Sequence, residues 1–160
     1  MSLRVSTATD YGIRAMLHIA SLPDGKSVRR VEIAEAEGIP TNFMAKVLRR
    51  LVRYGLLRSA RGLHGGFCLS RPATQISLLE LVEAIDGPIR VSPGRTDDAP
   101  VEWISACPAS LVWPEVERAL RDTLSQYSLE VLVSAPRKNG RIAYLPMVQT
   151  HESTPLSKAV

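Results

Sequence analysis

Along the front half of the chain, apolar residues return every three or four positions, and short turn-forming breaks separate the runs. Ile13, Met16, Leu17 and Ala20 predict a first helix. Ser6 or Thr7 would cap it, and Asp10 stands in its first turn, where a negative charge suits the helix dipole. Pro23-Asp24-Gly25 ends it in a turn. A second, shorter helix runs through Val28, Val31, Ile33 and Ala34 and stops at Gly38. Pro40-Thr41-Asn42 opens a third, whose inner side is expected to carry Phe43, Met44, Val47, Leu48 and Leu51 and which ends near Tyr54-Gly55.

The period then changes. Residues 56–61 and 67–70 predict two short strands around the glycine-rich turn Gly62-Leu63-His64-Gly65-Gly66. Ser77 with Glu80 forms a capping box ahead of Leu78, Leu81, Val82 and Ile85, and Gly87-Pro88 closes that helix. Residues 90–106 lack periodicity and predict a loop. From about Ser110 a longer helix is expected, with Trp113, Val116, Leu120, Leu124 and Tyr127 on one side and Pro114 in its first turn. Beyond Pro136 no pattern is strong, and residues 136–160 are expected to be a partly disordered tail.

Three short helices followed by a hairpin predict a mainly α fold with a small β-hairpin wing, a winged helix-turn-helix. The expected organisation is a DNA-binding unit over 1–88, an effector-type loop over 89–108, a long dimerisation helix over 109–135 and a tail over 136–160. In such a fold the third helix lies in the major groove. Thr41, Asn42, Ala45 and Lys46 would then face DNA, with Asn42 able to bond an adenine edge in two places. Lys46, Arg49, Arg50 and Arg53 suit phosphates. In the hairpin, Gly62, Gly65 and Gly66 permit positive φ and close backbone approach, Arg61 suits a narrow minor groove, and His64 is at most a phosphate contact.

Charge supports this division. The 160 residues carry a net +4, which looks nearly neutral. Split at residue 72, the front has 12 Lys/Arg against 5 Asp/Glu (+7) and the back 8 against 11 (−3). A basic head fits a polyanion such as nucleic acid, and a mildly acidic back fits protein contacts. The same excess also fits a solvated surface, so charge alone does not decide. No apolar run reaches the ~20 residues of a membrane span. Arg4, Asp10 and Arg14 interrupt the place of a secretory apolar stretch, which predicts a cytoplasmic protein. Cys68 and Cys107 read as thiols of a reducing compartment, Cys68 as a structural residue of the wing. Ser, His and Asp residues are scattered without a nucleophile elbow or paired acid and base, so no enzyme is predicted.

Several segments together resemble the Rrf-type winged helix-turn-helix transcription regulators, of the IscR, NsrR and CymR kind. They are Asp10-Tyr11-Gly12-Ile13-Arg14-Ala15-Met16, Ile33-Ala34-Glu35, Gly38-Ile39-Pro40, Phe43-Met44 and Gly55-Leu56-Leu57. More specific are Arg61-Gly62-x-x-Gly65-Gly66-Phe67-x-Leu69 and Ile76-Ser77-Leu78-Leu79-Glu80-Leu81. Cys107-Pro108, Trp113 and Tyr127-Ser128-Leu129 resemble the family's cluster loop and dimer helix. The resemblance covers roughly residues 3–133. It implies a homodimer on palindromic operator DNA, usually a repressor, with Trp113, Val116, Leu120 and Leu124 between subunits.

Cluster-bearing members that this chain resembles hold iron and sulfur through three cysteines in the loop before the long helix. Here Cys107 matches the last of the three, and Val101 and Arg95 stand near the other two places. Asp10 matches a carboxylate that ligates the cluster from the partner subunit in some members, or it is simply a helix-start charge. One thiolate per subunit leaves the ligand set incomplete, so no cofactor is expected, although a cluster or metal sensor using Cys107 and Asp10 stays open. Cys107 is otherwise a candidate redox or electrophile sensor, or an inert thiol. The expected activity is DNA binding modulated by a redox, thiol or small-molecule signal. The rival class is an interaction module that binds a metabolic enzyme.

Overall fold

The computed structural model describes residues 5–60, 62, 65–91, 112–138 and 141–142. Three helices come first: α1 (Thr7–Ala20), α2 (Arg30–Glu37) and α3 (Thr41–Arg53). Strands β1 (Leu57–Ala60) and β2 (Gly66–Leu69) pair antiparallel, with Leu57 opposite Leu69 and Ala60 opposite Gly66. A 3₁₀ turn at Ala73–Gln75 leads to α4 (Leu78–Asp86), and α5 (Val112–Ser125) and α6 (Leu129–Val133) follow. This is the mainly helical, winged architecture that the residue pattern predicts.

Local chemistry sets the boundaries. The Ser6 hydroxyl accepts from the Thr9 N–H at 3.0 Å and donates to Asp86 Oδ1 at 2.7 Å, so the cap of α1 also ties down the end of α4. Gly38 takes the left-handed conformation at φ 63°, which lets the Ile39 N–H reach back to the Ala34 carbonyl at 2.9 Å. That closure turns the chain from α2 into α3. At α4 the capping box forms as expected: the Ser77 hydroxyl accepts from the Glu80 N–H, and the Glu80 carboxylate accepts from the Ser77 N–H at 2.9 Å.

Met16, Ile33, Met44, Leu48, Leu51, Leu57, Ile76 and Leu81 are almost fully buried and join α1–α4 and the base of the wing into one core. Two expected inner residues lie elsewhere. Val31 is 45% exposed, because residues two apart on a helix point ~200° apart and Ile33 takes the core. Phe43 is 36% exposed, since it sits in the first turn of α3, beyond the core; its ring meets Tyr11 edge-on at 5.2 Å.

The back of the chain differs from a single long helix. The first helix there stops at Ser125, and Ser128 caps a separate short one by accepting from the Val131 N–H at 3.3 Å. Between them the backbone pairs with the start of α4: the Leu78 N–H donates to Tyr127 O at 2.8 Å and the Leu129 N–H to Ile76 O at 2.9 Å. Leu129 is fully buried, so α6 belongs to the winged core, whereas α5 lies against α4 and adds no fully buried residue to it. A short pair, β3 (Arg137–Lys138) with β4 (Arg141–Ile142), occupies a stretch where no element was expected. The loop before α5, with Cys107, and the end of the tail lie outside the described residues. Among the described residues no helix is long and apolar enough to cross a membrane.

Candidate nucleic-acid interface

Helix α3 has two opposed faces. Met44, Val47, Leu48 and Leu51 are buried at 0–2% exposure. Asn42, Lys46, Arg49 and Arg53 recur at spacings of four, three and four, so they form one stripe along the other side, and all are exposed. Thr41 and Ala45 are half-buried beside that stripe. No acidic residue stands in the helix. Arg50 is also exposed, but one of its guanidinium nitrogens donates to the Ile85 carbonyl at 2.6 Å and so ties α3 to the end of α4.

The wing stands next to this helix and is fixed from behind. Val28, just ahead of α2, exchanges two backbone hydrogen bonds with Phe67 of β2, donating at 3.0 Å and accepting at 2.8 Å. A β-carbon on Gly66 would come within 2.5 Å of the Val28 carbonyl oxygen. Glycine is therefore required there for close approach. Gly62 is exposed with φ 105°, and Gly65 is half-buried in the same turn. Arg61 and His64 lie outside the described residues. Cys68 is a free, half-buried thiol on β2.

Sequence reasoning missed the brace that holds the helix-turn-helix against α1. Arg14 donates from Nε to Glu37 Oε2 at 3.3 Å and from a second nitrogen to the Glu37 backbone carbonyl. His18 Nδ1 lies 3.3 Å from the other carboxylate oxygen of Glu37. Arg14 is also 3.8 Å from Asp10 one turn earlier, and its guanidinium carbon lies 6.0 Å from the centroid of Tyr11. The end of α2 is thus held by two residues of α1. The available signal was the four-residue spacing of Asp10, Arg14 and His18, which places all three on one helix face. Asp10 is an exposed helix-start residue paired with Arg14. Among the described residues, no three His, Cys, Asp or Glu side chains converge on one point.

In α5, Trp113, Val116, Leu120 and Leu124 are half-buried, and none of the helix's residues is fully buried. Arg121 bonds to Glu83, which attaches the helix to α4.

Residues 5–135 match the family model Rrf2, described as "Iron-dependent Transcriptional regulator". The chain belongs to the Rrf2 family. It is 33% identical over 128 residues to Rv1287 of Mycobacterium tuberculosis (strain ATCC 25618 / H37Rv), a protein provisionally named an HTH-type transcriptional regulator, and the match covers 79% of each chain. The fold is similar to that of CymR, the global cysteine regulator of B. subtilis, with a TM-score of 0.69, 23% identity, and 85% of this chain and 100% of that one covered. It is also similar to T. potens IscR, with a TM-score of 0.63, 25% identity, and 83% and 88% covered. This Rrf2 chain is a transcription regulator with a DNA-binding winged helix, and its family is one of regulators, not of enzymes.

Proposed function

We propose that this Rrf2 chain is a homodimeric repressor that binds palindromic operator DNA, with α3 in the major groove and the wing beside it. The observation that carries this reading is the opposition on α3 of an apolar face sunk in the core and an exposed Asn42-Lys46-Arg49-Arg53 stripe. Asn42 reads a base edge, with Thr41 and Ala45 beside it. Lys46 and Arg49 hold phosphates and fix the register. Arg50 sets the angle of α3 through Ile85. In the wing, Arg61 enters the minor groove, Gly62, Gly65 and Gly66 shape the turn, and His64 contacts at most a phosphate.

Two copies meet through α5, where Trp113, Val116, Leu120 and Leu124 recur on one side at spacings of three, four and four. Closed two-fold symmetry then matches a palindromic site. DNA binding responds to a redox, thiol or small-molecule signal, with Cys107 as the candidate thiol, in a cytoplasmic protein. The family model's description names iron, but two cysteines in the whole chain, one of them on β2, do not fit a three-thiolate cluster.

The test is a gel shift of the purified protein on the DNA upstream of its own gene, with its mass measured by light scattering. A dimer that retards this DNA, and lets go as salt rises, supports the reading. A folded monomer that retards none of it contradicts the reading.

A further inference from the structure

Between α2, α3 and the wing lies an open groove of about 380 Å³. Val31, Ala45 and Phe67 line it with apolar surface, and Arg30, Arg49 and Ser59 add two guanidinium groups and a hydroxyl. Arg30, Arg49 and Ser59 are exposed, and Val31, in the first turn of α2, is 45% exposed. The core leaves Val31 out, since the buried residues of α2 are Ile33 and Ala34, while Phe67 is half-buried and packs against the core with part of its ring. No acidic side chain lines the groove.

A nucleic-acid strand has the complementary chemistry, because apolar deoxyribose alternates along it with anionic phosphate. The position matches as well. A helix in the major groove and a wing at the adjacent minor groove are separated by one sugar–phosphate strand, so that strand must pass between them.

We propose that this groove clamps the DNA backbone, with one phosphate between Arg30 and Arg49 within reach of the Ser59 hydroxyl, and its sugar against Val31 and Phe67. The inference rests on the DNA-binding reading and adds Arg30, Val31, Ser59 and Phe67 to it. The clamp makes no base contact, so it supplies affinity and register without sequence preference. It also joins α2 to the contact surface: Val28, hydrogen-bonded to Phe67, lies two residues before Arg30, so a shift of the wing would move this part of the clamp.

The experiment uses the full chain and a duplex that the wild-type protein selects from a random-sequence pool, with a scrambled duplex beside it. Arg30→Gln, Arg30→Lys and Val31→Glu are compared with wild type over a range of salt. Arg30→Gln is expected to weaken both duplexes by a similar factor, roughly fivefold to tenfold near 0.1 M salt, and to flatten the log–log salt slope by ~1. Arg30→Lys restores much of the affinity, and Val31→Glu costs more than Arg30→Gln by placing a carboxylate against phosphate. Ethylation of one backbone phosphate blocks wild-type binding and matters less for Arg30→Gln. Wild-type affinity and slope in a folded Arg30→Gln protein would overturn the clamp, and so would a loss confined to the selected duplex. If Lys46→Ala still weakens binding in that case, the DNA-binding reading survives; if wild type selects no duplex at all, both fall.

Discussion

The carbonyl oxygen of Val28 lies 2.5 Å from the point a β-carbon on Gly66 would occupy. The contact is backbone against backbone, so neither side can move aside by changing rotamer. It coincides with the Val28–Phe67 hydrogen-bonded bridge, which ties β2 to the segment leading into α2. The wing therefore sits at a fixed distance from the helix-turn-helix. Gly66→Ala must push the two apart. We expect a loss of about 1–3 kcal/mol in chemical denaturation, typical of overpacking, with faster amide exchange at Val28 and Phe67. Unchanged stability and protection would show that the wing is not anchored at this point.

Acid stability follows from the α4 cap. Burial pushes the Glu80 carboxyl up, but hydrogen bonds from the Ser77 N–H, Arg71 and the Ser77 hydroxyl outweigh it, and the net pKa lies below the ordinary value of 4.5. A depressed folded pKa gives stability that is present above 4.5 and lost as pH falls through the lower, folded value. Glu32 shifts in the same direction, held chiefly by the Arg29 side chain. Glu80→Gln should therefore cost under about 1 kcal/mol at pH 7, as expected of an exposed cap, and should show a shallower decline than wild type below pH 4.5. Parallel pH curves for the two proteins would remove Glu80 from the account.

Helix α5 gives a prediction that separates folding from assembly. None of its residues is fully buried, while Leu129 of α6 is. Leu120→Glu with Leu124→Glu should leave the winged domain folded and halve the mass seen by light scattering. Binding to an operator with two half-sites should fall to that of a single half-site. A double variant that stays dimeric would place the subunit contact elsewhere.

The core of the fold was legible because its determinants are local. The Ser77–Glu80 box and the Gly38 turn are properties of four or five consecutive residues, and the apolar period of α3 puts Met44, Val47, Leu48 and Leu51 inside. Pairings across the chain left weaker marks. Gly12 is buried inside α1, where glycine costs about 1 kcal/mol relative to alanine; the fold places it against the end of the Ile85 side chain, which would have to shift to admit a β-carbon. Phe43 matches the helical period yet lies partly outside because it sits in the first turn of α3, and Val31 lies outside because Ile33, two positions on, takes the core. At the back, Trp113 to Tyr127 keeps one period across a break. The backbone pairing of Tyr127 and Leu129 with Leu78 and Ile76 ends the helix, and no local rule announces it.

The central claim is that the exposed stripe of α3 reads operator DNA, and comparing Asn42→Ala with Lys46→Ala tests it most directly. Both residues are exposed, so both variants should fold. On the selected duplex, Asn42→Ala should cost about 1–3 kcal/mol and relax the preference at one base position, leaving the scrambled duplex unaffected. Lys46→Ala should weaken both duplexes alike and flatten the salt slope by ~1. Wild-type affinity, slope and preference in both folded variants would contradict the claim.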